Sequence, residues 1–127
     1  MKILFIFRGK VKKGKERGKL LGFPTANIAL HKEIPEGIYA SRVTFENKNY
    51  RAATFIGTSK TFNETEYRAE SYILDFNQNI YGEWITVRLF KKLRGNKKFN
   101  SEQQLINQMK RDALTTREFL NSKNKNA

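Results

Sequence analysis

The chain of 127 residues changes its hydrophobic period once, near residue 100. Before that point, short runs of β-branched and aromatic residues are separated by glycine, asparagine and proline, which is typical of strands and turns. After that point, apolar residues recur at helical spacing: Ile106, Met109, Ala113 and Leu120. Ser101 followed by Gln104 is typical of a capping box. The pattern predicts one amphipathic helix over about 101–119.

The β-rich part predicts five or six strands joined mostly by short turns, with a long polar loop over 57–66. The clearest strand segments are 3–11, 38–45, 50–56, 68–76 and 81–94. Consecutive strands joined by short turns form an antiparallel sheet. With a single helix, the economical packing is a small closed barrel capped by the helix. We expect one domain over 1–127, ordered over about 3–120, with a polar tail over 121–127.

The composition limits the partners and the compartment. The chain has no cysteine, which excludes disulfides, thiolate metal sites and a cysteine nucleophile. The longest early apolar run, residues 3–7, is too short for a signal peptide or a membrane span. We therefore expect a soluble cytoplasmic monomer. The formal net charge of +13 indicates either an anionic partner (nucleic acid, a membrane surface or a phosphorylated small molecule) or a general lysine bias.

The stretch from Leu21 to Ile28 combines stiffness with polar side chains. Gly22 gives backbone freedom, while Pro24 fixes its own φ and extends the residue before it. Thr25 and Asn27 are two residues apart, so in an extended segment both point to one side. A hydroxyl and an amide oxygen are hard neutral donors of the kind that can hold Mg²⁺ beside phosphates. A hydrogen-bonded turn is the alternative interpretation.

Two other features resemble functional motifs only in part. Residues 9–15 fit G-x-x-x-x-G-K, but Glu16 stands where a P-loop needs serine or threonine. We therefore reject a P-loop and keep two interpretations of this basic segment: glycine amides and lysines beside a phosphate, or a solvated loop. The single histidine, His31, lies in a polar stretch and is assigned no role.

Glu70 is the acidic residue whose predicted neighbours are least typical of a carboxylate. In a strand over 68–76 it shares a face with Tyr72, Leu74 and Phe76, so its carboxylate lies among large apolar groups. Such a carboxylate either accepts a proton in a reaction or pairs with a nearby arginine. The sequence pattern leaves both interpretations open.

The order of motifs along residues 8–119 resembles that of the riboflavin kinase family. The motifs that carry the resemblance are Gly22-Phe23-Pro24-Thr25-Ala26-Asn27, Gly37-Ile38-Tyr39-Ala40, Thr61-Phe62, Glu70 followed by Leu74-Asp75-Phe76, and Leu93-Arg94 before Lys98-Phe99. Two positions depart from the family pattern. Lys60 stands where proline is usual, and Tyr72 stands where histidine is usual.

The resemblance implies an antiparallel six-stranded barrel that transfers the γ-phosphoryl group of ATP to the 5′-hydroxyl of riboflavin, giving FMN and ADP with Mg²⁺. It implies that Thr25 and Asn27 bind Mg²⁺ and phosphate and that Glu70 is the catalytic base. Further nucleotide contacts are implied for Gly14, Lys19, Ile73, Asp75 and Tyr81. Flavin contacts are implied for Arg94, Lys97 and Phe99.

Two other functions are compatible with parts of the sequence. A basic small barrel that binds RNA or DNA would account for the charge, but it leaves the Pro24-Thr25-Ala26-Asn27 segment and Glu70 without a purpose. The aromatic residues also alternate as core residues do, so nucleic acid is not the expected partner. A flavin-binding protein without catalysis is disfavoured because the threonine, the asparagine and the glutamate are all retained.

Overall fold

A computed structural model of the protein describes residues 1–12, 25–61 and 64–124. In this part of the chain six strands precede one helix. The elements are β1 (Phe5–Lys10), β2 (Thr25–Ala29), β3 (Gly37–Phe45), β4 (Lys48–Thr61), β5 (Glu64–Ile73), β6 (Trp84–Arg94) and α1 (Glu102–Asn124). Each ladder between neighbouring strands is antiparallel, as predicted.

The sheet is open, so the predicted closure of the barrel is wrong. The strand order is β1-β6-β3-β4-β5-β2, which leaves β1 and β2 as the two edges. Among the described residues, β2 meets the other edge at a single bridge just past the end of β1, where the Lys12 amide donates to the Asn27 carbonyl at 2.8 Å. Ile28 fills the gap against Gly9, where an added Cβ would lie 1.9 Å from Ile28 Cγ2.

The hairpin from β4 to β5 is longer than predicted. Residues 57–66 were expected to form a polar loop, but the ladder continues from Thr58 opposite Tyr67 to Thr61 opposite Glu64. The segment is rich in threonine, which favours strands, and ladder pairing satisfies the backbone groups that a loop would leave to water. The expectation of a loop was therefore wrong.

The strand β5 ends earlier than predicted, at Ile73. Asp75 has a φ of 57°, which no strand residue adopts. The chain turns there, and the Phe76 ring packs at 4.8 Å from the Tyr50 ring and 6.2 Å from the Phe45 ring. Phe76 therefore packs against the inner core, and the predicted common face of Glu70 and Phe76 is wrong.

The inner face of the curved sheet forms the main core. Its largest buried side chains include Ile28, Tyr39, Val43, Ile56, Ile85 and Leu89. Three buried hydroxyls also lie among them, and Thr54 Oγ1 is 2.6 Å from Ser41 Oγ and 2.8 Å from Ser71 Oγ. Because each hydroxyl has a partner, this polar cluster can be buried at little cost.

Helix α1 begins as predicted and continues past the predicted end at 119 to Asn124. The Gln104 amide donates to Ser101 Oγ at 3.2 Å, which confirms the N-cap. The Gln104 side chain accepts from the Asn100 amide at 3.0 Å. In the described part of the chain no helix is long and apolar enough to cross a membrane.

The helix packs on the outer face of β3 and β4. Its most buried side chains recur every four residues: Gln108, Asp112, Thr116 and Leu120. Three of these four are polar, so a search for apolar periodicity alone does not find the contact face.

Strand β6 carries two extra residues opposite β3. Leu89 pairs with Ser41 and Lys91 with Ala40, so Phe90 has no opposite residue. Lys92 pairs with Tyr39 and Arg94 with Ile38, so Leu93 also has no opposite residue in β3. Between the two β-bulges the alternation is reversed, so Lys91, opposite Ala40, faces the helix and contacts the Phe119 ring, and the original alternation is restored at Arg94.

Candidate active site

One row of paired residues crosses five strands on the outer face of the sheet. Asn27 lies opposite Glu70, Glu70 opposite Phe55, Phe55 opposite Ile38, and Ile38 opposite Arg94. Directly opposed side chains of antiparallel strands point to the same face. The register therefore aligns three predicted site residues, Asn27, Glu70 and Arg94, with two apolar residues between them.

A second row runs beside the first. Thr25 lies opposite Tyr72, and Tyr72 lies opposite Ala53. Since Thr25 and Asn27 are two residues apart in β2, they share this face, as predicted. Thr25, Asn27 and Glu70 are thus neighbours at one end of both rows.

A cavity lies between this face, helix α1 and the segment that follows β6. The residues that line it are Thr25, Ile38, Ala53, Phe55, Glu70, Tyr72, Arg94, Asn96, Lys97, Phe99, Leu105, Met109 and Asp112. The structure thus brings together five residues that the sequence predicted to act: Thr25, Glu70, Arg94, Lys97 and Phe99. Glu70 and Arg94 stand on strands three spacings apart, about 14 Å at roughly 4.8 Å per spacing.

The β6 end of the cavity is built from a satisfied polar network. Arg94 donates from Nε to Asp112 Oδ1 at 2.9 Å and from its NH2 nitrogen to Oδ2 at 2.8 Å, a bidentate pair. The Gln108 amide donates to Asp112 Oδ1 at 3.0 Å, and Lys97 Nζ donates to Gln108 Oε1 at 3.3 Å. This network ties the segment after β6 to the helix and fixes one wall of the cavity.

Glu70 stands at the other end with few constraints. Its side chain is 16% exposed, and Oε2 lies 3.5 Å from a terminal nitrogen of Arg68. This contact is at the long limit of a hydrogen bond, so it leaves the carboxylate able to accept a proton from a ligand. The arginine partner anticipated as an alternative is present, but the contact is loose.

Asn27 carries an oxygen in need of a partner. The residue is 4% exposed, and among the described residues nothing hydrogen-bonds to Oδ1. A buried carbonyl oxygen without a donor is costly and is suited to a bound cation. The described residues contain no group of three or more histidine, cysteine, aspartate or glutamate side chains that could hold a metal ion. The Thr25 hydroxyl and the Asn27 amide oxygen are the neutral oxygens at this end, beside the Glu70 carboxylate.

The other predicted nucleotide contacts lie away from the cavity or outside the described residues. Ile73 is buried in the core on the opposite face. Asp75 accepts from both terminal nitrogens of Arg117, at 2.8 and 3.0 Å, and this hydrogen bonding lowers the pKa of the Asp75 carboxyl. Tyr81 precedes Gly82, whose amide donates to the carbonyl of Val11 at 2.9 Å. Gly14 and Lys19 lie outside the described residues, as does Phe62 of the Thr61-Phe62 motif.

Sequence reasoning assigned no role to several lining residues. Phe55, Leu105 and Met109 form apolar walls, and Asp112 anchors Arg94. The signal for Asp112 was its spacing of four from Gln108 on a helix, which puts both on one side. Tyr72 lines the cavity where the family usually has histidine, and burial raises the pKa of its hydroxyl, so it is neutral at pH 7.

The family model and the curated relatives agree on one family. The Flavokinase model, described as riboflavin kinase, matches residues 1–120. The bifunctional riboflavin kinase/FMN adenylyltransferase of Escherichia coli K12 is 37% identical over 118 residues, covering 91% of this chain and 38% of that protein. The chain spans between 19% and 38% of the first curated relatives it matches.

Two solved structures have a similar fold. The riboflavin kinase from Trypanosoma brucei superposes with a TM-score of 0.64 at 29% identity, covering 91% of this chain and 79% of that one. A macrolide-efflux protein from Streptococcus pneumoniae superposes with a TM-score of 0.80 at 40% identity, covering 88% of this chain and 38% of that one. The name of the second protein is not that of the riboflavin kinase family, and the likeness is one of fold.

Proposed function

Because the chain belongs to the riboflavin kinase family, we propose that it transfers the γ-phosphoryl group of ATP to the 5′-hydroxyl of riboflavin, giving FMN and ADP. The observation that carries the proposal is the row from Asn27 through Glu70, Phe55 and Ile38 to Arg94. It sets a carboxylate and a buried oxygen at one end of an apolar floor and a cationic group at the other.

The apolar floor and walls suit the flat ring system of a flavin. Phe55 and Ile38 lie beneath the cavity, with Leu105 and Met109 of the helix opposite them. Pockets for such ligands are mainly apolar with a few placed polar groups. At the β6 end, the flavin ring would lie against Arg94, Lys97 and Phe99. In this orientation the ribityl chain points toward Glu70.

Glu70 is proposed as the general base. The hydroxyl proton passes to the carboxylate as the hydroxyl oxygen forms a bond to the γ-phosphorus and the bond from that phosphorus to the bridging oxygen of ADP breaks. Phosphoryl transfer depends mainly on positioning and on charge stabilisation, so a single positioned base is sufficient protein chemistry. Positioned bases contribute about 10² to 10⁴ in rate.

Thr25 and Asn27 would hold Mg²⁺. Their shared face and the unpartnered Asn27 oxygen support this assignment. When bound, the ion neutralises phosphate charge and orients the phosphates. Gly14, Lys19, Ile73, Asp75 and Tyr81 are proposed as nucleotide contacts on the family resemblance alone.

The test is direct. The protein is incubated with riboflavin, ATP and MgCl₂, and FMN is separated from riboflavin by chromatography. We expect FMN and ADP in equal amounts, with none formed when ATP is omitted or when the metal is chelated. A folded protein that binds riboflavin and forms no FMN would contradict the proposal.

A further inference from the structure

Arg68 is a buried cation for which the proposed reaction has so far given no use. The residue is 7% exposed, and it lies on β5 two residues before Glu70, so both side chains are on the outer face. Its pairing partners across the sheet are Ala29 and Gly57, which bring no polar side chain toward it.

The guanidinium is poorly satisfied. It carries five N–H donors. Within the described residues its polar contact is the 3.5 Å approach to Glu70 Oε2, and its Nε, which is buried, has no partner. A buried charge with so little compensation is costly, which indicates that an anionic group completes the site.

The position relative to the cavity identifies the anion. Glu70 lines the cavity, whereas Arg68 and Asn27 do not. Asn27 lies opposite Glu70 on β2, the side away from Arg94, and Arg68 precedes Glu70 by two residues on β5, diagonal to Asn27, so these two incompletely paired residues are both next to the carboxylate. In the proposed reaction the flavin hydroxyl meets Glu70 from the cavity, so the phosphoryl donor approaches from the Asn27 and Arg68 side.

From this geometry we propose that Arg68 binds the phosphoryl group during its transfer, first as the terminal phosphate of the nucleotide and then as the phosphate of FMN. The planar fork of arginine matches two phosphate oxygens at once, which a lysine cannot reproduce. The inference rests on the proposed function, because it takes Glu70 to mark the position of the accepting hydroxyl.

A ratio of affinities tests this role. FMN and riboflavin differ only in the phosphate, so flavin fluorescence titrations of both ligands isolate the contact to that group. We expect Arg68→Met to weaken FMN binding by about 10- to 100-fold, the range for a hydrogen bond to a charged group. Riboflavin binding should change less than about threefold, and Arg68→Lys should lose part of the FMN affinity.

The control is Arg88→Met, which removes another strand arginine, bonded to Thr44 at 2.8 Å and remote from the cavity lining. It should leave both affinities unchanged. If Arg68 only neutralises Glu70, Arg68→Met should weaken the binding of FMN and riboflavin equally, or should lower Tm alone. An unchanged ratio of the FMN affinity to the riboflavin affinity would overturn the inference. Should Arg68→Met fail to fold, the ratio measured on Arg68→Lys decides, and parental values there overturn it.

The parent protein separates this inference from the function on which it rests. Absence of FMN formation by the parent would contradict the proposed function and remove the basis for the Arg68 role. An active parent with an unchanged FMN-to-riboflavin ratio in the variants would contradict the Arg68 role alone.

Discussion

The polar groups at the two ends of the cavity differ in whether they have hydrogen-bond partners within the protein. At the β6 end Arg94, Asp112, Gln108 and Lys97 bond to one another within the protein. Next to the β2 end, just outside the cavity lining, the Asn27 oxygen and the Arg68 Nε are buried without partners in the described chain. A satisfied network holds a wall in place, whereas buried groups without partners indicate where a ligand completes the structure. The two ends should therefore respond to substitution in opposite ways.

Glu70 gives the largest expected effect, and it acts on turnover. Glu70→Gln keeps the size of the side chain but cannot take up a proton in the same way, so we expect kcat to fall by at least about 10². Riboflavin affinity should change far less. Steady-state kinetics together with a flavin titration on the same variant check this. If a folded Glu70→Gln variant has a kcat close to that of the parent, Glu70 is not the general base. If the variant is also less stable than the parent, the role of Glu70 is to pair with Arg68 in the folded structure.

Asp112 should act mainly on stability and flavin binding. Asp112→Asn leaves the largely buried Arg94 guanidinium without its charge partner, and breaking such a pair costs about 3 kcal/mol or more. Urea denaturation of variant and parent measures the loss, and KM for riboflavin should rise because Arg94 is no longer held. A variant of parental stability would show that the network is not what holds this wall.

Asn27 offers the sharpest contrast with Asp112. Asn27→Leu removes a buried oxygen that has no partner in the described chain, so Tm should not fall. Activity across an Mg²⁺ titration should nevertheless fall about tenfold or require more metal, and Thr25→Val should behave alike. If both variants keep parental activity at every Mg²⁺ concentration, the ligand assignment is wrong. A large loss of stability in Asn27→Leu would mean that the oxygen is paired in the folded protein.

Asp75 gives the smallest expected effect, at a site outside the cavity. Hydrogen bonds from Arg117 hold the pKa of Asp75 below its ordinary value of 3.8. A carboxyl with a lowered folded-state pKa stabilises the protein above 3.8, and that contribution disappears as the pH falls through the lowered pKa. The Tm difference between the parent and Asp75→Asn should thus be small at neutral pH and vanish in acid. A difference that persists at the lowest pH would exclude this ion pair as its cause.

The strands and the helix start were predictable because they depend on local pattern. β-formers in alternation located β3 and β6, and Ser101 located the helix N-terminus. Closure of the barrel was not predictable, since it depends on whether the two edges pair. The end of β5 depends on the positive φ of Asp75. The sequence around Asp75 did not predict a turn at that residue.

The candidate site divides in the same way. Thr25 and Asn27 were placed together by their spacing in one strand, which is local information. The alignment of Asn27 with Arg94 requires the register of five strands, which no single segment of the sequence encodes. The Arg68 guanidinium was missed because an arginine in a strand usually reaches water, and its burial is a tertiary property.

The two bulges of β6 have a consequence for changes in chain length. Phe90 and Leu93 have no opposite residues in β3, so deletion of either would shorten the strand without altering the pairing of the rest. The ladders of β5 with β2 and β4 contain no such surplus. Deletion of Ser71, between Glu70 and Tyr72, would turn one of these two side chains to the inner face and disrupt the rows of paired residues. Insertions and deletions in this family should accordingly collect in β6 and be purged from β5.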